Sequence, residues 1–425
     1  NPLAKWIKEN YSVDYVDTIT EPGVDKTITE NSVFESIKTK VSISINAHKS
    51  ELVVLSGHYD CAANQVSNEE HIELIKKGIG VISSWNLGAK VIGYSLEPPT
   101  KPSLFETLGL ENEITHIIGD IQDKQNLSDN IEKHKPEIVI HFAAQPLVRV
   151  SYEEPSETFQ TNILGTVNIL DSIRKLDCVK ACIVMTSDKC YQNLDANRFH
   201  KETDPLGGSD PYSASKGAAE IITNSFRNSF FNTEKNHDKS TGIASVRAGN
   251  VIGGGDWARD RIIPDCIRAL TTDKKIMVRN PSSIRPWQFV LEPISGILWL
   301  GSKLYAKPKK YSESWSFGPN QMNNTTVEKV VQNVIRIWNK GDWVDVSKES
   351  RDQPTELVSL LLDSTKALNS LEWKTTYSFE NAINETISWY KSYYNNDTPM
   401  RELSVNQIEQ YSKTANRMNI TWTGN

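Results

Sequence analysis

Short runs rich in Val, Ile and aromatic residues alternate along this chain with stretches of helical periodicity, and that alternation permits few folds. The runs are VDYVDTI, ELVVLSG, AKVIGYS, THIIGD, EIVIHFAA, ACIVMTS and GIASVRAG. Strands separated by helices pair in parallel, because each crossover returns the chain to the same end of the sheet. The expected fold is therefore α/β, a doubly wound parallel sheet of Rossmann-like form. Such a sheet presents ligands at the carboxyl ends of its strands, and most of the polar and Gly-rich clusters here follow a strand. From about Asn250 the alternation breaks into GGGDW, RNPSSIRPWQ and helices rich in Trp and Lys. That part is expected to form a smaller C-terminal substrate-binding α/β domain. The expected divisions are 1–86, 87–249 and 250–425.

Composition narrows the function. With 425 residues and 38% apolar content the chain can bury a large core. A net charge of -6 and a pI near 5.9 argue against nucleic-acid binding, which needs a basic excess. An anionic small molecule would have to be held by a local basic pocket. No apolar run reaches the ~18 residues of a membrane span, and NPLAKWIKEN lacks a signal peptide's apolar centre. Five cysteines, an odd number in a long chain, suit a reducing compartment, so a cytoplasmic protein is expected.

The strongest local signal is Tyr212-Ser-Ala-Ser-Lys216. Residues i and i+4 share one helix face, and an ammonium beside a phenol favours the phenolate. Tyr212 could then take a proton from a hydroxyl while hydride leaves the same carbon. The strand ACIVMT ends some two dozen residues earlier in Ser187-Asp188-Lys189, where a parallel sheet presents reactive groups. A chance Tyr and Lys on a surface helix, or a solvated Asp-Lys pair in a loop, is the competing explanation.

These residues, with HFAAQPLVRVSYEEP, TNILGTVNIL, TSDKCY, DPYSASKGAAE, SVRAGNVIGGGDWARDRIIPD and RNPSSIRPWQFVLEP, resemble the nucleotide-sugar branch of the extended short-chain dehydrogenases. Within it they are most similar to the CDP-glucose 4,6-dehydratases, from about Leu87 to the C-terminus. Relatives acting on dTDP-glucose carry Thr-Asp-Glu where this chain has Ser187-Asp188-Lys189. The resemblance implies NAD and a three-stage reaction on CDP-glucose: oxidation at carbon 4, loss of water across carbons 5 and 6, and return of hydride to carbon 6. It implies that Tyr212 is the base of the first stage, with Ser187 polarising the oxygen and Lys216 completing the set. Lys189 would remove the carbon-5 proton and Asp188 would protonate the departing hydroxyl, so the pKa of the Lys must be lowered and that of the Asp raised. It further implies that Asp120 meets the adenine and that Ala143, Ala144 and Gln145 line the cofactor. Asn250, Arg279 and Arg285 would hold the sugar nucleotide, guanidinium forks suiting a diphosphate. A homo-oligomer is expected.

One part of the pattern fails. A Rossmann unit opens with a strand, a G-x-x-G-x-x-G turn and a helix. This chain instead has ELVVLSGHYDCAANQVSNEEHIELIKKGIGVISSW at the corresponding place. Residues 1–85, through KENYSVDYVDTITEPG and VVLSGHYDCAAN, resemble a small group of carbonic anhydrases related to the β class. The H-x-x-C pair His58 and Cys61 would supply only two zinc ligands, where a catalytic zinc needs three and a water, so no metal site is expected. The segment is expected to replace the first Rossmann unit, with NAD affinity reduced. An epimerase or reductase of the same superfamily, a zinc protein governed by the first segment and a silent sugar-nucleotide binder remain alternatives.

Overall fold

The computed structural model describes residues 90–425, apart from 193–197, 232–240, 320–323, 350–360 and 424–425, together with residues 7, 8, 37, 38, 40 and 41. By its internal contacts the chain divides into two units, Asn1–Val91 and Ile92–Asn425. The sheets, helices and candidate site described below belong to the second unit.

Six strands among the described residues form its two main parallel sheets: β1 (Ile92–Ser95), β2 (Thr115–Ile118), β3 (Ile138–His141), β4 (Ala181–Met185), β5 (Gly242–Ala248) and β6 (Ser314–Phe317). The principal helices are α1 (Lys124–His134), α2 (Gly165–Ile173), α3 (Pro211–Phe226), α4 (Ile262–Thr271), α5 (Leu291–Ala306), α6 (Val327–Trp338), α7 (Phe379–Asn395) and α8 (Met400–Arg417). Strands β6, β5, β4 and β3 lie side by side in that order, all parallel, and β1 and β2 form a separate parallel pair. The apolar run of β4 explains its central place: Ala181 to Val184 are fully buried, as a strand covered on both faces requires. One face of β3 and β4 packs on α1 and α2 through Leu127, Ile131, Ile169 and Leu170, and the other buries Ile183, Ala244 and Val246 under α5.

The pair β1-β2 and the sheet β6-β5-β4-β3 are separate, and each is parallel throughout, as a doubly wound fold requires. Among the described residues no strand joins the two sheets. The runs VDYVDTI and ELVVLSG lie outside the described residues. The expected α/β parallel architecture is otherwise present, and AKVIGYS, THIIGD, EIVIHFAA, ACIVMTS and GIASVRAG supply β1 to β5.

Strand β6 escaped the sequence reading and comes from the part after Asn250. In SWSF, Trp315 and Phe317 face the core while Ser314 and Ser316 meet polar partners on the other side. A four-residue alternation with two serines leaves little to recognise. A second core lies between α4, α6 and α7, where Trp257 and Trp389 meet edge to face, 5.7 Å between ring centres. Short strand pairs, such as Ile276–Val278 with Trp343–Asp345, carry this smaller part. Among the described residues no helix is long and apolar enough to cross a membrane.

Candidate active site

Strand β4 ends at Met185, and the chain turns at once. Ser187 caps a short 3-10 turn, its Oγ accepting the Lys189 backbone N–H at 3.1 Å and donating to Asp188 Oδ1 at 3.0 Å. Asp188 is 4% exposed and its Oδ2 has no hydrogen-bond partner. Burial raises its carboxyl above the usual range, against the pull of Lys189, Ser187 and Arg285. At the end of β5, Gly249 makes this possible, because a Cβ there would fall on Asp188 Oδ2.

Helix α3 delivers the second part. Asp210 caps it, accepting Ser213 N–H at 2.9 Å and Ser213 Oγ–H at 2.5 Å, and Pro211 fits the first turn, where no N–H is needed. The i, i+4 spacing then buries Tyr212 and Lys216 on one face. Lys216 Nζ donates to the Met185 carbonyl at 3.3 Å, and burial lowers its pKa to about 8. Burial pushes Tyr212 up to about 12, while hydrogen bonding with Ser187 draws it back. Ser187 and Arg261 both draw the phenol down.

One further turn along α3, Glu220 is buried beneath both segments. It accepts Thr186 Oγ1 at 2.6 Å, Ser245 Oγ at 2.9 Å, Ser314 Oγ at 3.1 Å and Arg247 Nη2 at 2.8 Å. One carboxylate therefore joins α3 to β5, to β6 and to the residue after β4. The sequence reading passed over it, although it continues the Tyr212 and Lys216 face.

A cavity of about 610 Å³ opens over this arrangement. Its wall brings together Ser187, Asp188, Lys189, Tyr212, Asn250, Arg279 and Arg285. Asn250 has a left-handed backbone, φ 34°, and its carbonyl accepts the Gln288 N–H at 3.2 Å. Arg285 is 4% exposed, whereas Arg279 sits half-buried in an ion pair with Asp260 at 2.8 Å. Lys216 lies behind the wall. Arg149, Asp260 and Arg261 also line it, and no motif or spacing pattern singles any of them out in the sequence.

The other expected residues gather elsewhere. Asp120 is half-buried after β2, its Oδ1 accepting the Gln122 N–H at 2.8 Å. Ala143 is exposed and Ala144 half-buried after β3. The Gln145 side chain braces its own loop, donating to Leu147 O at 3.0 Å and Thr158 Oγ1 at 2.9 Å and accepting Leu147 N–H at 2.6 Å. His58 and Cys61 lie outside the described residues. Among the described residues no group of three His, Cys, Asp or Glu could hold a metal.

The chain matches known proteins over two separate stretches. The family model described as GDP-mannose 4,6 dehydratase matches residues 100–386, and one described as "Putative carbonic anhydrase" matches residues 1–102. The CDP-glucose 4,6-dehydratase of Salmonella typhimurium is 43% identical over 338 residues, 79% of this chain and 93% of that protein. The dTDP-glucose 4,6-dehydratase of Xanthomonas campestris is 26% identical over 73% of this chain and 88% of its own length. Among solved structures, Thermotoga maritima UDP-glucose 4-epimerase with UDP-glucose superposes with a TM-score of 0.61 at 20% identity, covering 74% of this chain and 94% of that one. Bacillus anthracis dTDP-glucose 4,6-dehydratase in complex with NAD gives 0.58 at 20% identity, covering 74% and 92%. At such identities the solved structures speak for the fold alone.

Proposed function

The chain belongs to the GDP-mannose 4,6-dehydratase family, and from that premise we propose that it is a 4,6-dehydratase acting on CDP-glucose with NAD as its cofactor. The observation that carries the reading is the buried Asp188 carboxyl, one oxygen unpartnered, set beside Lys189 and Tyr212 in the cavity wall. An epimerase needs Tyr212 and Lys216 but has no use for an acid and a base after the strand. The substrate assignment draws on the Salmonella relative.

A dinucleotide lying at the carboxyl ends of β2 and β3 would meet the small side chains of Ala143 and Ala144 after β3 and Asp120 after β2. Asp120, Ala143, Ala144 and Gln145 would hold the cofactor, with Tyr212 and Lys216 at its reactive end. When bound, NAD supplies the acceptor and then the donor of one hydride, taken from carbon 4 and returned to carbon 6.

The chain's own groups handle the protons. Tyr212 takes the proton of the 4-hydroxyl as that carbon becomes a ketone, and Ser187 hydrogen-bonds the same oxygen. The ketone acidifies carbon 5, whose proton goes to Lys189. Asp188, whose carboxyl burial raises above its usual range, gives its proton to the departing 6-hydroxyl, which leaves as water. Arg279, Arg285 and Asn250 orient the nucleotide sugar. In this reading residues 87–249 carry cofactor and catalysis, 250–425 mainly bind substrate, and 1–86 replace the first Rossmann unit, with activity reduced by the absent Gly-rich turn. The exposed Tyr152, Phe159, Leu164 and Ile221 lie on mutually packed helices and support a homo-oligomer.

The test is incubation with CDP-glucose and NAD and detection of the 4-keto-6-deoxy product. Asp188→Asn and Lys189→Met should each lower product by about two orders of magnitude while reduction of NAD by CDP-glucose stays measurable. Undiminished product in both variants would refute the assignment.

A further inference from the structure

We propose that Asp260 is a stand-in for the substrate's diphosphate, holding Arg149 and Arg279 together until the phosphates of a ligand displace it. The proposal rests on the reading that the cavity takes a nucleoside diphosphate sugar. Asp260 Oδ1 meets Arg279 Nη1 at 2.8 Å and Arg149 Nη1 at 3.6 Å, and all three residues line the cavity. The two arginines come from separate parts of the chain: Arg149 from the helix Val148–Glu153 that follows β3, and Arg279 from just beyond the short strand Ile276–Val278. Like-charged guanidinium groups repel, and an anion between them offsets that repulsion. The wall therefore contains a built position for negative charge, filled by the protein's own carboxylate.

The carboxylate is also placed to leave. Asp260 is on the loop before α4, its side chain is 36% exposed, and its backbone is left-handed with φ 60°, a conformation that residues other than Gly, Asn and Asp seldom adopt. A diphosphate brings more oxygens and more charge than one carboxylate, and guanidinium forks bind phosphate in pairs of parallel hydrogen bonds. Exchange then favours the diphosphate, and Asp260 turns out to water. A ligand with a single phosphate competes less well, so Asp260 tunes the cavity toward diphosphates.

The left-handed backbone dictates the test, because Asn and Gly both keep it. Binding of CDP, cytidine and inorganic pyrophosphate to the full chain is measured by calorimetry without NAD, for the unaltered protein, Asp260→Asn, Asp260→Gly and Arg149→Met. CDP and pyrophosphate should bind both Asp260 variants about fivefold tighter, the scale of one charge at contact distance in a water-rich dielectric. Cytidine should not change, and Arg149→Met should weaken CDP about tenfold, the loss of one charged hydrogen bond. CDP binding that is equal or weaker in both Asp260 variants overturns the proposal, Asp260 then being a brace for the arginines. Tighter pyrophosphate without any CDP binding sustains the role of Asp260 and refutes the nucleotide reading. Silence of both ligands with every form refutes both.

Discussion

Gly249 shows how narrow the tolerance of the site is. It has no side chain in the space that Asp188 Oδ2 occupies, and a Cβ there would also approach Pro286 Cγ to 3.1 Å. Gly249→Ala should displace the carboxyl that donates the proton, at an overpacking cost of about 1–3 kcal/mol. Product formation is expected to fall at least about tenfold with a folded, modestly destabilised chain, as judged by turnover and thermal melting together. Unchanged turnover would show that Asp188 does not need its present place. The residues that sequence reasoning found here share a physical signature: Ser187, Asp188 and Lys189 end an apolar strand, and Tyr212 and Lys216 share a helix face. Arg149 and Asp260 carry no such signature. Their pairing exists only because the fold brings a short helix and a distant loop together, and no local pattern encodes that meeting. Glu220 was legible in principle, as the next residue on the face of Tyr212 and Lys216, but a lone Glu on a helix ordinarily reads as solvated.

At the scale of elements, two buried carboxylates stitch the fold together and respond to pH in opposite senses. Burial pushes Glu220 upward, but Arg247, Thr186 and Ser245 pull it further down, below its ordinary value. Its contribution is present above the unfolded pKa and is lost as pH falls through the folded one. Glu292, in the first turn of α5, accepts the N–H groups of Thr376 at 2.9 Å and Tyr377 at 2.7 Å and the Tyr411 hydroxyl at 2.8 Å, tying α5 to α8 and to the loop before α7. Burial dominates there and raises its carboxyl to about 7 from an ordinary 4.5, so the folded chain holds the proton more tightly than the unfolded one. Its contribution is complete below the unfolded pKa and is lost as pH rises through the folded value. Glu292→Gln should therefore flatten the decline in stability between those two values, seen as a smaller difference in urea midpoint between about pH 5 and pH 7. An undiminished decline in the variant would place the titrating group elsewhere. The long apolar or periodic elements, β4, β5 and α3, were legible from sequence because burial on both faces or on one stripe leaves a pattern. Strand β6 was not, since its two serines serve partners that only the folded sheet supplies.

Over the whole molecule, the two family matches meet around residue 100, and the Gly-rich turn of a Rossmann unit is absent from the sequence before it. Gly57 is followed there by His58, Tyr59 and Asp60, bulky or charged where close approach of the backbone to a pyrophosphate calls for glycine. In the proposed reading a carboxylate there would repel the phosphates that a helix N-terminus would attract. Losing two or three hydrogen bonds to a charged phosphate, each worth roughly 1.5–3 kcal/mol, costs several kcal/mol of affinity. The contacts proposed for Asp120, Ala143 to Gln145, Tyr212 and Lys216 hold the two ends of the dinucleotide but not its middle. The expected outcome is that NAD binds weakly, that the purified chain carries little of it, and that turnover of CDP-glucose depends on added NAD. Calorimetry on the chain as it stands, and after a G-x-x-G-x-x-G turn is grafted over Gly57 to Asn64, decides the matter. A gain of a hundredfold or more, on the order of 3 kcal/mol, is expected from the graft. Equal affinities, or NAD retained through purification of the unaltered chain, would mean that another segment cradles the pyrophosphate and that the first 86 residues do more than replace a strand and a helix.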